Sequence, residues 1–426
     1  MTPWRLEDAE AHLLSLELFG MRFGLERMRR LLTVLGSPQE RFEAIHVVGT
    51  NGKSSTVRMC AALLEAHGVR TGAFLSPHLI SFAERIRIGD ADLDGDAFAA
   101  AIQRAAAAAA KVDRTLEPGD RVTQFELVTA AAFDEFARQN VEVAVVEAGL
   151  GGRHDATNVI NARTVVLTNV GLEHTRWLGP TIRDIAREKL AVVHGRARLV
   201  VGELDEEARE EVRRTTTRIT PGTSAPLPEA LSGRRPEAAG LASGEGDARA
   251  RPQPLPGYQR KNFQLAMAAA REQLGELDEA RVISVANKIS VPGRMQRLDE
   301  RTILDGAHNP SGMEALAEAL PDTRLVAVVS ILDDKDAAGM LRALLGKTSG
   351  AVFTRTNNPR ALPPATLASL AEQLHGPPAE VVPDPHDALS RARQLAGPEG
   401  TVVATGSIYL VADLLGEPGR RRRSAL

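Results

Sequence analysis

Cysteine is almost absent from this chain, since Cys60 is the one cysteine among 426 residues. A single cysteine excludes an internal disulfide framework and a zinc site built on several cysteines, and it fits a reducing compartment. Cys60 lies on the apolar face of a predicted helix. At such a position we expect a small buried side chain rather than a nucleophile.

Long apolar runs and a strong net charge are absent as well. No run of about twenty apolar residues occurs, so the sequence predicts no membrane-spanning helix. The first residues contain no apolar signal core, and we expect a cytoplasmic protein. The net charge of −3 argues against a general nucleic-acid-binding protein. Residues 420–423 form a basic tail, which we interpret as solvated, with an anionic partner as the alternative.

The length and composition predict a globular protein of two domains that acts on small molecules, and we expect a monomer. Apolar residues make up 43% and charged residues 25% of the chain. We predict a first domain over residues 1–289, a linker over residues 290–296 and a second domain over residues 297–426. Residues 215–256 are rich in Pro, Gly, Ala, Arg and Ser without periodicity, which indicates a mobile loop.

Residues 46–56 predict a phosphate-binding loop. An apolar run ends at the turn Gly-Thr-Asn-Gly, and apolar residues at helical spacing follow Lys53. The unpaired N–H groups at the start of this helix, with the lysine, suit a polyphosphate. The common form of this loop has a glycine six residues before its lysine, where this chain has Val47. The alternative is an ordinary strand-to-helix turn with a surface lysine.

Strands and helices alternate along most of the chain, which predicts parallel sheets covered on both faces. Polar residues follow four strands of the first domain, at residues 49–53, Ser76, Glu147 and His174. Ligands bind at this edge of such sheets. We therefore predict an α/β protein with a phosphate-loop, parallel-sheet ATPase domain, followed by a smaller Rossmann-like α/β domain.

Several of these polar residues suit a magnesium nucleotide. Mg²⁺ takes one or two carboxylates together with phosphate oxygens, a role that suits Glu147. Ser76 offers a neutral oxygen and His174 shares the same edge. Each has an alternative: a carboxylate without a metal, a turn serine and a structural histidine. The sequence around Lys189 by itself predicts a solvated helical lysine. Arg294 is predicted to be either a phosphate ligand or an interdomain ion-pair partner.

Further motifs occur in a fixed order from near residue 20 to near residue 410. They are residues 22–27, 76–79, 123–126, 147–158, 171–174, 178–179, 188–189, 292–294, 305–310, 333–336, 359–361 and 406–410. Together with residues 46–56 they resemble the folylpolyglutamate synthase/dihydrofolate synthase family of Mur-type ATP-dependent amide ligases. The resemblance implies that ATP phosphorylates a carboxylate of dihydropteroate or a folate, and that the amine of L-glutamate then displaces phosphate. It leaves open dihydrofolate synthesis, extension of the glutamate tail, or both.

The resemblance also implies roles for single residues. Nucleotide contacts fall to Asn51, Gly52, Lys53, Ser54, Ser55, Asn262, Arg294 and Asp305. The resemblance implies one Mg²⁺ bound by Ser76 and Glu147. It implies a second Mg²⁺ bound by Glu147 and His174. The pterin side is implied at Thr123, Gln124, Phe125, Glu126, His154, Asp155 and Ala156. His308 and Ser407 fall in the region of glutamate and the γ-phosphate, and Lys189 matches a lysine that is carbamylated in the family.

Three positions depart from the family pattern. Leu190 and Ala191 follow Lys189 where the family continues Ala-Gly, Ser54 replaces a glycine, and Glu173 replaces an aspartate. The second of these leaves open whether Ser54 or Ser55 faces the metal.

Three alternative functions remain. The first is another Mur-type ligase acting on a UDP-sugar peptide, although the residues before His46 leave no room for the UDP-binding domain expected there. The second is a two-domain binding protein that hydrolyses ATP without joining an acid to an amine. A dinucleotide oxidoreductase is disfavoured, because no G-x-G-x-x-G opens the second sheet.

Overall fold

The computed structural model describes residues 2–16, 24–222, 255 and 257–416. Most of the predicted mobile loop, residues 22–23 of the first motif and the basic tail lie outside these ranges. The described residues divide into two compact units. The first lies within Met1–Pro77, Arg85–Leu255 and Gln259–Ile289, and the second within His78–Glu84, Pro256–Tyr258 and Ser290–Leu426. The sequence-based division had assigned the two short segments of the second unit to the first domain.

The sheet of the first unit has eight strands in the order β4-β3-β2-β5-β1-β6-β7-β8. Six neighbouring strands, β2-β5-β1-β6-β7-β8, run parallel to one another. At one edge of the sheet, β3 pairs antiparallel with β2, and β4 pairs antiparallel with β3. The strands are β1 Glu43–Val48, β2 Thr71–Phe74, β3 Ile86–Ile88, β4 Ala91–Asp92, β5 Val143–Glu147, β6 Ala162–Leu167, β7 Arg198–Val201 and β8 Ile219–Pro221. The mainly parallel sheet is as predicted.

Ten α-helices in the described ranges accompany this sheet. They are α1 Leu6–Ser15, α2 Glu26–Val34, α3 Lys53–Ala66, α4 Gly95–Asp113, α5 Gln124–Arg138, α6 Thr175–Leu178, α7 Ile182–Leu190, α8 Glu206–Thr215, α9 Gly257–Leu274 and α10 Glu279–Lys288. The central strands are buried along nearly their whole length, as expected for a parallel sheet with helices on both faces.

Some boundaries in the first unit differ from the predictions. The predicted loop over residues 215–256 begins too early, because Thr215 still belongs to α8 and Ile219–Pro221 pairs with β7. The alternating character of residues 84–88 predicts a short hairpin strand, but Phe82–Arg85 forms a 3₁₀ turn and the chain becomes extended only at β3. In both places pairing with the preceding strand of the sheet, rather than local sequence pattern, decides where the extended segment begins.

The second unit contains a six-stranded sheet in the order β13-β12-β11-β14-β10-β9, with only β9 antiparallel. Its strands are β9 Gln296–Asp299, β10 Thr302–Leu304, β11 Leu325–Val329, β12 Gly350–Phe353, β13 Ala379–Val381 and β14 Thr401–Thr405. Its helices are α11 Pro310–Ala319, α12 Ala337–Leu345, α13 Pro364–Gln373, α14 Pro385–Ala396 and α15 Ile408–Leu415. The predicted linker over residues 290–296 therefore overlaps β9 by one residue.

Two apolar clusters cover the faces of this second sheet. One contains Phe353 and residues of α11 and α12, and the other contains Leu410 and residues of α14. The predicted two-sheet α/β architecture is thus confirmed. Within the described ranges, no helix has both the length and the apolar character needed to cross a membrane.

Candidate functional site

Two glycines shape the loop between β1 and α3. Gly49 has φ +147°, and a Cβ there would lie 1.9 Å from Thr168 Oγ1. Gly52 has φ +83°, and a Cβ there would lie 2.4 Å from Asn262 Oδ1. Left-handed backbone and close approach both require glycine. The loop backbone therefore lies against the segments that carry Thr168 and Asn262, and α3 begins directly after Gly52.

Side chains after β6 hold the loop in place. The Asn51 N–H donates to Asn169 Oδ1 at 2.8 Å, and the Thr168 hydroxyl donates to the Asn51 carbonyl at 2.6 Å. Lys53 Nζ donates to the carbonyls of Gly49 and Thr50, both at 3.1 Å. The lysine ammonium thus lies over the loop at the start of α3, where a phosphate-binding lysine is expected.

Glu147, at the end of β5, receives hydrogen bonds from two of the predicted elements. Ser54 Oγ donates to its Oε1 at 2.9 Å, and the Ser76 N–H donates to its Oε2 at 3.1 Å. Glu147 is buried. Ser55 Oγ, by contrast, is buried without a hydrogen-bond partner. Between the two serines, Ser54 is therefore the one that faces the carboxylate.

The oxygens around Glu147 fit a hard divalent cation. Carboxylate and hydroxyl oxygens are the ligands that Mg²⁺ prefers, and neighbouring ligands of an octahedral Mg²⁺ lie roughly 3 Å apart. The separation of Ser54 Oγ from Glu147 Oε1 is close to that spacing. Among the described residues, no three His, Cys, Asp or Glu side chains form a ready metal cluster. A cation here would therefore rely on hydroxyl and phosphate oxygens.

His174 is exposed and sits in left-handed conformation, with φ +50°, immediately before α6. Its Nε2 lies 3.4 Å from Glu173 Oε1. Glu173, which replaces an aspartate of the family pattern, therefore carries the carboxylate beside His174.

Lys189 is buried, although the sequence alone suggested a solvated helical lysine, and that interpretation is wrong. Its Nζ donates to the Gly49 carbonyl at 2.7 Å, the same oxygen that accepts from Lys53. Burial, followed by the charge of Lys53, lowers the pKa of Lys189 to about 7. A substantial fraction of this lysine is therefore a neutral amine near neutral pH.

The segment that follows β5 is organised by Asp155. Its Oδ2 accepts from the Leu150 N–H at 2.8 Å, and its Oδ1 accepts from the N–H and hydroxyl of Thr157 at 3.0 and 2.5 Å. Burial raises the pKa of Asp155. Of its predicted neighbours in the substrate site, His154 is exposed and Ala156 is buried.

Three of the four predicted substrate residues at the start of α5 have polar partners within the fold. Thr123 and Glu126 form a capping box. Glu126 also pairs with Arg27 at 3.2 Å, and buried Gln124 donates from Nε2 to the Leu13 carbonyl at 2.8 Å. These side chains therefore hold the helix in the fold. Phe125 differs, since its half-buried ring packs against the Phe74 ring with centroids 5.8 Å apart.

Asn262, on α9, is the predicted nucleotide contact that lies against the phosphate loop. Its Oδ1 is the atom that excludes a side chain at Gly52, and its Nδ2 is buried without a hydrogen-bond partner. A buried amide N–H₂ without an acceptor is costly, so this group is suited to an acceptor supplied by a ligand.

In the second unit, Asp305 follows β10 and is buried. It accepts from the Met295 and Ala307 N–H groups at 2.8 and 2.9 Å, and from the Tyr258 hydroxyl. Burial raises the pKa of Asp305, and the charge of Arg294 opposes that shift. Sequence reasoning missed Tyr258, because a tyrosine 47 positions from the aspartate gives no local signal.

The other two predicted residues of this unit lie at helix starts or turns. His308 places Nδ1 2.9 Å from the Gly306 carbonyl, which makes Nδ1 the donor of this hydrogen bond. Ser407 is buried, and its Oγ accepts from the Tyr409 N–H at 3.1 Å as the cap of α15. Ser407 therefore caps α15, and its predicted role near glutamate and the γ-phosphate stays a prediction.

Comparison with known proteins agrees with this geometry. Residues 47–224 match the Mur ligase middle domain, and residues 293–408 match the Mur ligase glutamate ligase domain. A Bacillus subtilis protein named dihydrofolate synthase/folylpolyglutamate synthase is 32% identical over 96% of this chain and 98% of its own length. The chain belongs to the dihydrofolate synthase/folylpolyglutamate synthase family. It is accordingly an ATP-dependent ligase with a Mur-type architecture. It also spans 50% of a Haloferax volcanii protein named as a probable bifunctional folylpolyglutamate synthase/dihydropteroate synthase, with 34% identity over 95% of this chain.

Solved structures of relatives share the whole fold. Mycobacterium tuberculosis folylpolyglutamate synthase complexed with ADP has a TM-score of 0.84 at 33% identity, over 98% of this chain and 99% of that one. Escherichia coli FolC in complex with DHPP and ADP has a TM-score of 0.80 at 28% identity, over 97% of each chain. The Yersinia pestis enzyme complexed with AMPPNP and Mn ion has a TM-score of 0.79 at 28% identity, again over 97% of each. These complexes support ATP and a divalent metal as ligands of this fold.

Proposed function

We propose that this chain joins L-glutamate to the carboxylate of dihydropteroate, of a reduced folate, or of both, with ATP and Mg²⁺. The observation that carries the proposal is the convergence of Ser54 and Ser76 on Glu147, next to the lysine of a glycine-shaped phosphate loop. This arrangement supports a site in which phosphate-binding groups and the oxygens of Glu147 and Ser54 lie at one edge of one sheet. The DHPP and ADP bound to the Escherichia coli relative support a pterin acid as the acceptor class.

The proposed chemistry proceeds in two steps. An oxygen of the acceptor carboxylate attacks the γ-phosphorus of ATP, and ADP leaves with the electron pair of the broken bond. The glutamate amine then attacks the acyl carbon, loses a proton, and phosphate leaves. Lys53 and the first N–H groups of α3 bind the transferring phosphoryl group and stabilise its charge, so the side chains need supply little covalent chemistry.

Glu147, Ser54 and Ser76 are the residues that would hold the cation. When bound, Mg²⁺ supplies positive charge to the phosphate oxygens. A second cation between Glu147 and His174 is part of the proposal. Asn262 would donate from its unpartnered Nδ2 to an oxygen of the nucleotide, and Arg294 and Asp305 are the other side chains proposed as nucleotide contacts.

Carbamylation of Lys189 is also part of the proposal. The amine nitrogen forms a bond to the carbon of CO₂ and loses a proton, which gives an anionic carbamate. The lowered pKa of Lys189 provides the neutral amine that this reaction requires. The anion would replace a buried cation next to Lys53, and thus relieve the repulsion between the two lysines.

The acceptor would lie beside Phe125 and the segment that carries His154, Asp155 and Ala156, while His308 serves the glutamate side. Thr123, Gln124 and Glu126 would line the acceptor side as well as hold α5 in place, and Ser407 would lie near glutamate and the γ-phosphate at the start of α15. We further propose a cytoplasmic monomer, which sedimentation of the purified protein tests for the oligomeric state.

Purified protein incubated with ATP, Mg²⁺, L-glutamate and either dihydropteroate or tetrahydrofolate tests the function. Mass spectrometry is expected to show an acceptor that has gained glutamate, together with ADP and phosphate. The absence of a glutamylated product with either acceptor would contradict the proposal. ATP hydrolysis at full rate without acid and amine would instead favour the ATP-gated binding protein.

A further inference from the structure

A buried chain of hydrogen bonds links the strand that enters the phosphate loop to the segment after β5. His46 Nε2 lies 2.8 Å from Thr157 Oγ1, and that oxygen lies 2.5 Å from Asp155 Oδ1. His46 is 1% exposed, Thr157 0% and Asp155 6%. His46 lies on β1, three residues before Gly49. Asp155 lies in the segment that starts where Glu147 ends β5.

The direction of each hydrogen bond follows from the chemistry of the groups. Both Asp155 oxygens accept from backbone N–H groups, and the Thr157 hydroxyl donates to Oδ1 as a third donor. The Thr157 oxygen must then accept from His46, which requires the proton on Nε2. Burial, followed by the charge of His194, lowers the pKa of His46 to about 3, so the imidazole is neutral and carries one proton. His46 is therefore a fixed donor rather than an acid or a base.

Asp155 transmits this constraint to the backbone. Its other oxygen accepts from the Leu150 N–H at 2.8 Å, and its Oδ1 also accepts from the Thr157 N–H at 3.0 Å. The carboxylate thus fixes the turn after Glu147 at both ends. The opposite side of the segment is fixed separately, since the Arg153 N–H donates to the Glu188 carbonyl at 3.0 Å.

We propose that His46 is a positioning residue for acceptor binding, acting through Thr157 on Asp155 and the turn at Leu150. This rests on the proposed function, in which the segment with Asp155 lies beside the acceptor. The phosphate loop has its own anchors in Thr168 and Asn169, so the network sets the affinity for the acceptor and leaves the affinity for ATP nearly unchanged.

Two matched pairs of variants test the proposal. His46→Leu and Thr157→Val remove the donor and the hydroxyl, whereas His46→Gln and Thr157→Ser retain an N–H donor and a hydroxyl. We expect the first of each pair to raise the acceptor KM about tenfold, the effect of one lost buried hydrogen-bond partner. The second of each pair should restore it to within about threefold, on the same reasoning. The KM for ATP should stay within about twofold throughout.

An acceptor KM that is unchanged in Thr157→Val, or ATP and acceptor KM values that rise together, would overturn the proposal. Because His46→Leu can fail to fold, amide hydrogen exchange of residues 148–158 in the two Thr157 variants supplies a second readout. Faster exchange in Thr157→Val than in Thr157→Ser is expected, and equal exchange would overturn the network. A wild-type protein without ligase activity would refute the proposed function instead, and the exchange result would still decide the network.

Discussion

The two units place polar groups at the same edge of an α/β sheet but hold them by different means. In the first unit, Gly49 and Gly52 let the backbone approach its neighbours, and two lysines donate to one carbonyl oxygen. In the second unit, Asp305 is fixed by two backbone N–H groups and a tyrosine hydroxyl, and no glycine-lysine loop follows a strand in the described residues. The architecture supplies the edge, and the loop chemistry decides what it can bind.

The largest expected effect comes from the lysine of the phosphate loop. Lys53→Ala should lower kcat/KM by about a hundredfold or more, because it removes a preorganised charge from the transferring phosphoryl group. Steady-state ligase assays at saturating acceptor measure this. Lys347→Ala, at an exposed lysine of the second unit, is the control and should retain full activity. A near-normal rate for Lys53→Ala would contradict the special role of the phosphate loop in the first unit.

The second lysine at the Gly49 carbonyl should matter through its carbamate. Lys189→Ala is expected to lose most activity, and a short carboxylate or carbonate should partly restore it by replacing the missing anion. Intact-protein mass spectrometry of active wild-type enzyme should show one added CO₂ unit. Active enzyme that carries an unmodified lysine would argue against the carbamate and leave Lys189 as a structural cation.

A smaller effect is expected at Ser54. Ser54→Gly should weaken Mn²⁺ binding in the presence of ADP about tenfold, because it removes one oxygen from the set around Glu147. Electron paramagnetic resonance titration of free Mn²⁺ measures binding without turnover. Ser390→Gly, an exposed helical serine in α14, is the control for the helix propensity of glycine. Equal Mn²⁺ affinity in both variants would place the metal away from Ser54.

In the second unit, Tyr258→Phe tests whether the Tyr258 hydroxyl is needed to orient Asp305. Loss of one of three donors to Asp305 should raise the KM for ATP by about three- to tenfold. An unchanged KM would mean that the backbone donors alone orient Asp305. Because Tyr258→Phe retains the ring, its unfolding free energy in urea should stay close to that of wild type. A raised KM for ATP would then result from lost orientation of Asp305 rather than from lost packing.

The least direct effect concerns pH and stability. The pKa of Lys189 is lowered to about 7 from an ordinary value of 10.5. Between these values the unfolded chain binds a proton that the folded chain lacks, so the unfolding free energy should rise with pH through this window. Urea unfolding at pH 7 and pH 9 in CO₂-depleted buffer should show a smaller rise for Lys189→Met than for wild type. Identical rises would mean that Lys189 is not the group responsible.

Local pattern predicted much of this molecule. The apolar run before Gly49, the glycines of the turn and the helical spacing after Lys53 are all readable in the sequence, and the structure folds them as expected. The edge that Ser76 and Glu147 share also followed from the ends of parallel strands.

Long-range partners were not readable in the same way. The burial of Lys189 depends on a carbonyl 140 positions away, and the partner of Gln124 is 111 positions away. The sequence therefore predicted a solvated lysine where the structure has a buried donor, and it gave no sign that the Gln124 amide donates to the Leu13 carbonyl. The resemblance predicted a functional role for Lys189, but only its burial and the nearby charge of Lys53 show why the pKa of its amine is lowered.

The most direct test of the account is a crystal structure with a non-hydrolysable ATP analogue and Mn²⁺, with the metal located by its anomalous signal. The account predicts the triphosphate against residues 49–53 and the metal within bonding distance of Glu147 and Ser54. A triphosphate bound elsewhere, or a metal with no contact to Glu147, would contradict it.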